Sequence, residues 1–150
     1  MPQSLACLHV HLIFSTKERA ALLIDDTRAE MHAYMATVLQ NLGCHPILIN
    51  SMPDHIHILA DFARTVTTSD IVHDVKTSTS RWIKARRTGP QIFAWQNGYA
   101  AFAVSASNVP DVREYIANQT EHHKARTFQD EYRAFLNKHG VAFDERYVWD

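Results

Sequence analysis

Apolar residues along the chain occur in two kinds of segment. Short apolar and β-branched runs, some with alternating polar positions, predict strands, and longer segments with apolar residues every three to four positions predict helices. The predicted strands cover residues 7–15, 45–50, 55–62 and 99–105, and the predicted helices between them cover residues 28–42 and 70–86. The order strand, helix, strand, strand, helix, strand is typical of an α+β, ferredoxin-like (split βαβ) fold. In that fold a four-stranded antiparallel sheet carries both helices on one face.

Local signals mark the ends of these elements. Thr27 precedes the first predicted helix as a candidate N-cap, and Gly43 follows its last turn. Either Thr68 or Ser69 is expected to cap the second helix. Residues 52–54 have turn composition and predict a hairpin between the second and third strands, and residues 87–90 predict a loop.

Two further helices are expected after the sheet. The first begins at residues 107–108, with Pro110 in its first turn, and carries Tyr115 and Gln119. The second runs over residues 127–139 and ends at Gly140. With no linker or repeat in the sequence, residues 1–150 are interpreted as one domain.

Composition limits the class of protein. Hydrophobic residues make up 46% of the chain and charged residues 21%, as in an ordinary globular protein. No apolar run reaches the roughly 20 residues of a membrane helix, and the N-terminus lacks the basic region of a signal peptide. Two cysteines do not make a disulfide framework. We therefore expect a cytoplasmic protein with no membrane association.

Basic residues are concentrated in one segment, although the formal net charge is only −1. Between residues 76 and 87 there are five basic side chains and no acidic one, whereas residues 1–75 contain four basic and eight acidic side chains. The five are Lys76, Arg81, Lys84, Arg86 and Arg87. This pattern is compatible with a phosphate-binding stripe, and equally with a solvated helix face.

Two groups of residues have the types and spacing needed for metal binding or catalysis. On a strand, His55 and His57 project to the same face, where two imidazoles can bind one metal ion or remain ordinary core histidines. On the late helix Tyr115, Gln119 and His123 follow at intervals of four, with His122 beside them. That face therefore carries a phenol, an amide and imidazoles.

Four motifs together resemble the IS200/IS605-type single-strand transposases of the HUH superfamily, tyrosine enzymes that include REP-associated relatives. The motifs are HVHLIFSTK, SMPDHIHIL, WQNGY and YIANQTEHH, and the similarity extends over about residues 8–123. The resemblance implies a metal-dependent DNA transposase. Such an enzyme cleaves and rejoins single-stranded DNA through a 5′-phosphotyrosine intermediate.

Specific roles follow from the resemblance, residue by residue. It implies that Tyr115 is the nucleophile and that His55, His57 and Gln119 bind a divalent ion, Mg²⁺ or Mn²⁺. His122 and His123 are candidates for supporting positions around that ion. The chemistry is consistent with these groups, because a phenol with a pKa near 10 is a weak nucleophile unless the phosphate is activated.

The resemblance also implies partners. The expected substrate is single-stranded DNA with hairpin ends, and the expected assembly is a homodimer in which the tyrosine helix of one subunit completes the metal site of the other. The candidate DNA-binding residues are Lys17, Arg19, Lys76, Arg81, Lys84, Arg86 and Arg87.

Three other functions remain open from the sequence. A domesticated relative could process REP sequences with the same catalytic residues. A non-catalytic nucleic-acid-binding module could use the same ferredoxin-like scaffold. A metal-dependent phosphodiesterase could use the histidine pair with a water nucleophile and would form no covalent adduct.

Overall fold

The predicted order of strands and helices is present in the structure. The computed structural model describes residues 1–87 and 92–150, apart from the side chain of Asp25, so most of the predicted loop at 87–90 lies outside the described residues. The strands are β1 (His9–Ser15), β2 (His45–Met52), β3 (His55–Asp61) and β4 (Ala100–Ala103). The helices are α1 (Asp25–Asn41), α2 (Thr68–Arg86), α3 (Val109–Ala117), α4 (Gln119–His122) and α5 (Phe128–Lys138).

The four strands form one antiparallel sheet in the order β2-β3-β1-β4. This order confirms the ferredoxin-like prediction. Strand β1 lies between β3 and β4, and Ile13 on β1 is paired with His57 on β3. Because side chains alternate along a strand, Ile13 and His57 point to one face of the sheet while Leu12 and Phe14 point to the other.

Helices α1 and α2 cover the face that carries Leu12 and Phe14. On α1 the residues Met31, Met35 and Leu39 recur every four positions and are at most 2% exposed. They join the buried residues of α2, β1 and β3 in the larger hydrophobic cluster. Burial of side chains of this size stabilises the fold by about 1.5–3 kcal/mol each.

The opposite face is covered by the C-terminal helices. Phe128, Tyr132 and Leu136 on α5 form an apolar stripe that packs with Ile13 and Phe102 of the sheet. All five side chains are 5% exposed or less. The sheet is therefore buried on both sides, and the second face is where His55 and His57 lie.

Several predicted helix boundaries were wrong. Helix α1 begins at Asp25 with Ile24 as its N-cap, so Thr27 is inside the helix and does not cap it. The cap of α2 is Thr67, whose hydroxyl accepts from the amide of Asp70 at 3.1 Å. Thr68 and Ser69 are the first helical residues, because the capping hydroxyl must lie three positions before the amide it binds.

The helix expected to carry both Tyr115 and Gln119 is broken between them. Helix α3 ends at Ala117, and Asn118, with φ −96° and ψ 24°, separates it from α4, which begins at Gln119. The last helix, predicted over residues 127–139, is α5: Thr127 is its N-cap, His139 is its C-cap, and Gly140 follows with φ 67° as predicted. Within the described residues, no helix has the length and apolarity to cross a membrane.

Candidate metal centre and nucleophile

His55 and His57 lie on β3 with their rings on the same, buried face of the sheet. They are 1% and 0% exposed, and their ring centroids are 5.2 Å apart. Ile56 between them is 0% exposed and belongs to the core of the other face. Strand periodicity alone therefore brings two imidazoles together, as the sequence predicts.

Each imidazole is oriented by a polar neighbour. The Nδ1 of His55 donates to Oδ1 of Asp54 at 2.6 Å, which leaves the lone pair on Nε2. The Nδ1 of His57 lies 2.8 Å from Nε2 of His11, which is 1% exposed. Outer partners of this kind fix the ring orientation of metal-binding histidines.

Glu131 on α5 completes the cluster. Its side chain is 0% exposed, and Oε1 lies 2.8 Å from Nε2 of His57. The same oxygen lies 3.6 Å from Nε2 of His55 and 3.4 Å from Nε2 of His123. One carboxylate oxygen thus faces three imidazole nitrogens.

The cluster is suited to a metal ion. One ligand atom from each of His55, His57, His123 and Glu131 lies within 4.8 Å of the others. The Nε2 of His55 is buried and has no hydrogen-bond partner among the described residues, although it lies 3.6 Å from Oε1 of Glu131. A buried polar atom without a partner is costly, and a bound cation would remove that cost.

Gln119 lies at the edge of this cluster. It is 0% exposed, and its Oε1 is 3.0 Å from Nε2 of His123. Its Nε2 donates to the carbonyl oxygen of Tyr115 at 3.3 Å, which keeps the two residues adjacent across the break at Asn118. His123 has a second contact, from Nδ1 to the carbonyl oxygen of Arg126 at 2.9 Å.

The Tyr115 side chain reaches the cluster from α3. Its hydroxyl donates a short hydrogen bond to Oε2 of Glu131, the oxygen not directed at the histidines. Its ring stacks on His122, with centroids 4.2 Å apart, and lies 6.2 Å from the ring of His57. The structure therefore brings together all the residues that the sequence predicts for the metal site and the nucleophile.

Burial and the Glu131 carboxylate have the largest effects on the pKa values of the cluster. Burial lowers the pKa of His57, so its imidazole is neutral at pH 7, the form that binds metals. Burial alone would raise the pKa of the Glu131 carboxyl, but hydrogen bonds from His123 and His57 hold that pKa well below its usual range. Burial, together with the Glu131 carboxylate, raises the pKa of Tyr115, so this phenol is protonated at rest.

The chain is similar to known proteins. The profile of the family described as "Transposase IS200 like" matches residues 4–119. The chain belongs to the IS200-like transposase family. The ISDra2 transposase TnpA of Deinococcus radiodurans is 24% identical over 119 residues, which cover 75% of this chain and 84% of that protein.

Two solved structures share the fold of this IS200-like transposase. One is a crystal structure of a Deinococcus radiodurans protein described as a transposase, with a TM-score of 0.62 and 22% identity, covering 79% of this chain and 98% of the other. The second is a REP-associated tyrosine transposase bound to a REP hairpin, with a TM-score of 0.61 and 12% identity. It covers 82% of this chain and 72% of the other.

The basic residues predicted to bind DNA in this IS200-like transposase lie in three environments. Arg81 and Lys84 are exposed on α2 and line a groove of about 520 Å³ that also includes Lys76. The Lys76 ammonium group donates to the carbonyl oxygens of Gln96 at 2.8 Å and Gly98 at 2.6 Å, so it also holds the segment before β4.

The remaining basic residues lie elsewhere. Arg86 covers the ring of Trp82 at 4.0 Å, and Arg87 donates to the carbonyl oxygen of Leu22 at 3.3 Å. Lys17 and Arg19 are exposed or half-buried in a short 3₁₀ turn after β1. The structure therefore does not bring all seven basic residues into one surface.

Sequence reasoning missed three residues of this site: Glu131, Asp54 and His11. A signal for Glu131 was present, because it interrupts the apolar stripe of α5, three positions after Phe128 and next to Tyr132. A charged residue on a buried helical face needs a buried partner. Glu131 also lies beyond the residues 4–119 that match the family profile.

Proposed function

We propose that this IS200-like transposase cleaves and rejoins single-stranded DNA through a covalent 5′-phosphotyrosine on Tyr115, at a divalent metal site. One observation carries the proposal: the hydroxyl of Tyr115 and the Nε2 of His57 contact the two oxygens of a single buried carboxylate, that of Glu131. The nucleophile and the metal-binding histidines therefore belong to one site.

The donor set supports Mg²⁺ or Mn²⁺ as the cofactor. His55 and His57 would hold the ion, with Gln119 and His123 next to them. Imidazoles alone favour transition metals, whereas the Glu131 carboxylate adds the hard oxygen donor that Mg²⁺ and Mn²⁺ prefer. When bound, the ion supplies Lewis-acid activation of the scissile phosphate.

The chain's own residues position and perform the transfer. The phenol of Tyr115 loses its proton and its oxygen forms a bond to the phosphorus, while the bond from phosphorus to the 3′ oxygen of the preceding nucleotide breaks and that oxygen takes up a proton. This leaves a free 3′ hydroxyl and a 5′ phosphate on tyrosine. His122, stacked on the phenol, keeps the ring in place during this step. Attack by another 3′ hydroxyl reverses the reaction, so rejoining requires no ATP.

The groove beside α2 is the proposed path for the DNA backbone. It is lined by Lys76, Arg81 and Lys84 and by the exposed Tyr99. Cationic grooves with an aromatic side chain are typical of single-strand binding. The REP hairpin in the second solved structure supports hairpin DNA as the substrate class, and it keeps a domesticated REP-processing enzyme as the second candidate function.

We also propose a homodimer, on the basis of the family resemblance. In this structure Tyr115 reaches the histidines of its own chain, which favours a tyrosine that acts within one subunit. Mixing a Tyr115→Phe protein with a His57→Ala protein tests this point. Recovered cleavage would establish a site shared between subunits, whereas no recovery would establish a site complete in one chain.

Incubation with hairpin DNA labelled at its 3′ end tests the proposed function, because the fragment that joins Tyr115 keeps that end. With Mn²⁺ the wild type is expected to give cleaved DNA and an adduct that survives denaturing electrophoresis, and Tyr115→Phe is expected to give neither. Cleavage without an adduct would indicate a metal-dependent phosphodiesterase. Binding without cleavage would indicate a non-catalytic module.

A further inference from the structure

Glu131 is a buried carboxylate that contacts two functional groups at once. Oε1 faces the imidazoles of His55, His57 and His123 at 2.8–3.6 Å, and Oε2 accepts the hydroxyl of Tyr115. The side chain is 0% exposed. Glu131 lies beyond residue 119, where the match to the family profile ends, so the profile assigns it no role.

The charged partners of Glu131 are histidines, and the Glu131 carboxylate helps to raise the pKa of His123. No lysine or arginine is paired with Glu131 in the described parts of the chain. Buried carboxylates are usually paired with a cation or bind a metal, because an unpaired buried charge is strongly unfavourable. The unpartnered Nε2 of His55 lies 3.6 Å from the same carboxylate oxygen.

Helix α5 holds Glu131 in a fixed position. Phe128, three residues before it, stacks on His55 with centroids 4.5 Å apart, and Tyr132 is 3% exposed in the same cluster. The hydroxyl of Thr127 caps the helix. The packing of Phe128 and Tyr132, which precede and follow Glu131 on α5, thus limits where the carboxylate can move.

We propose that Glu131 is the positioning residue that joins the nucleophile to the metal centre: Oε1 is a ligand of the divalent ion with His55 and His57, while Oε2 holds the hydroxyl of Tyr115. This inference rests on the proposed function and adds a residue to it. The Glu131 carboxylate would then separate the phenolic oxygen of Tyr115 from the ion by one carboxyl group. The scissile phosphate must bind at this same place.

Mn²⁺ binding, measured by calorimetry on the folded protein, tests whether Oε1 of Glu131 is a ligand of the ion. Glu131→Gln keeps the size of the side chain and removes its charge, and we expect it to weaken Mn²⁺ binding by at least about tenfold. Glu131→Asp should recover part of the affinity. Asp130→Asn is the matched control, because it removes one charge from the exposed neighbouring position on α5 and should change the affinity less than about twofold.

The position of the hydroxyl is tested in the wild-type sequence, which avoids any folding defect of a variant. Protein labelled with 3-fluorotyrosine gives a fluorine resonance for each tyrosine, and Tyr115→Phe identifies the one from Tyr115. Sub-stoichiometric Mn²⁺ should broaden the Tyr115 resonance more than any other. Weaker broadening of Tyr115 than of another tyrosine would overturn the proposed link.

These experiments separate this inference from the proposed function. If the wild type forms a Tyr115 adduct while Glu131→Gln binds Mn²⁺ and cleaves as the wild type does, the role of Glu131 is refuted and the function stands. If no Tyr115 adduct forms, the function fails, and Mn²⁺ binding and fluorine broadening still decide whether Glu131 joins the ion to the tyrosine.

Discussion

The hydrogen bond between Tyr115 and Glu131 is expected to stabilise the metal-free protein measurably. Tyr115→Phe removes only the hydroxyl and retains the ring that stacks on His122 at 4.2 Å. Glu131 is 0% exposed, so water does not replace the lost donor at Oε2. Hydrogen bonds to charged groups contribute about 1.5–3 kcal/mol, and we expect Tyr115→Phe to lower the free energy of unfolding by about 2 kcal/mol.

A double-mutant cycle separates this contact from other effects of the substitutions. The free energy of unfolding is measured by urea denaturation in EDTA for the wild type, Tyr115→Phe, Glu131→Gln and the double variant. Because Glu131→Gln also affects His57 and His123, only the interaction energy of the cycle reports on the phenol. We expect about 1.5–2 kcal/mol of coupling between Tyr115 and Glu131.

The control cycle pairs Glu131→Gln with Tyr147→Phe, since Tyr147 is 63% exposed and should show no coupling. A Tyr115–Glu131 coupling energy below about 0.5 kcal/mol, equal to that of the control, would mean that the hydroxyl does not bind this carboxylate in solution. The inference that Tyr115 and the metal-binding histidines form one site would then be refuted.

Three further predictions concern caps, pH and metal. Thr67→Ala should destabilise the protein by about 1 kcal/mol through loss of the α2 cap, whereas Thr68→Ala should change the free energy of unfolding by less than about 0.5 kcal/mol in urea denaturation. Burial lowers the pKa of His32 from 6.5 to about 4. As the pH falls, the unfolded chain therefore binds a proton at His32 before the folded protein does. Between pH 6.5 and pH 4 the free energy of unfolding of the wild type should fall by roughly 1–2 kcal/mol more than that of His32→Asn, a value that allows for solvent screening of a partly exposed ring. Equal decreases would contradict the lowered pKa of His32. Mn²⁺ at about 100 times its Kd should stabilise the wild type by about 2.7 kcal/mol, or roughly 5–10 °C in Tm by calorimetry, and His57→Ala should show no such shift.

The sheet and its first two helices could be predicted because their patterns are local. The alternation at His55, Ile56 and His57 defines a strand whose two faces differ, and the turn at 52–54 pairs that strand with its neighbour. The spacing of Met31 and Met35 defines the buried side of α1. Each of these signals lies within a few residues of the feature it predicts.

The missing parts of the site depend on contacts distant in sequence. Glu131 meets His57 across 74 positions, and only the packing of α5 on the second face of the sheet brings them together. His11 meets His57 through the pairing of β1 with β3. The break at Asn118 was also missed, because Asn118 ends α3 and the chain resumes a helical conformation immediately at Gln119.

The central claim is that Tyr115 forms the covalent bond to DNA. The most direct test is to incubate the wild type with hairpin DNA and Mn²⁺, digest the adduct with nuclease and protease, and locate the modified residue by mass spectrometry. We predict a nucleotide joined through its 5′ phosphate to the peptide that contains Tyr115, and a free 3′ hydroxyl on the released strand. An adduct on any other residue, or one that persists in Tyr115→Phe, would contradict this account.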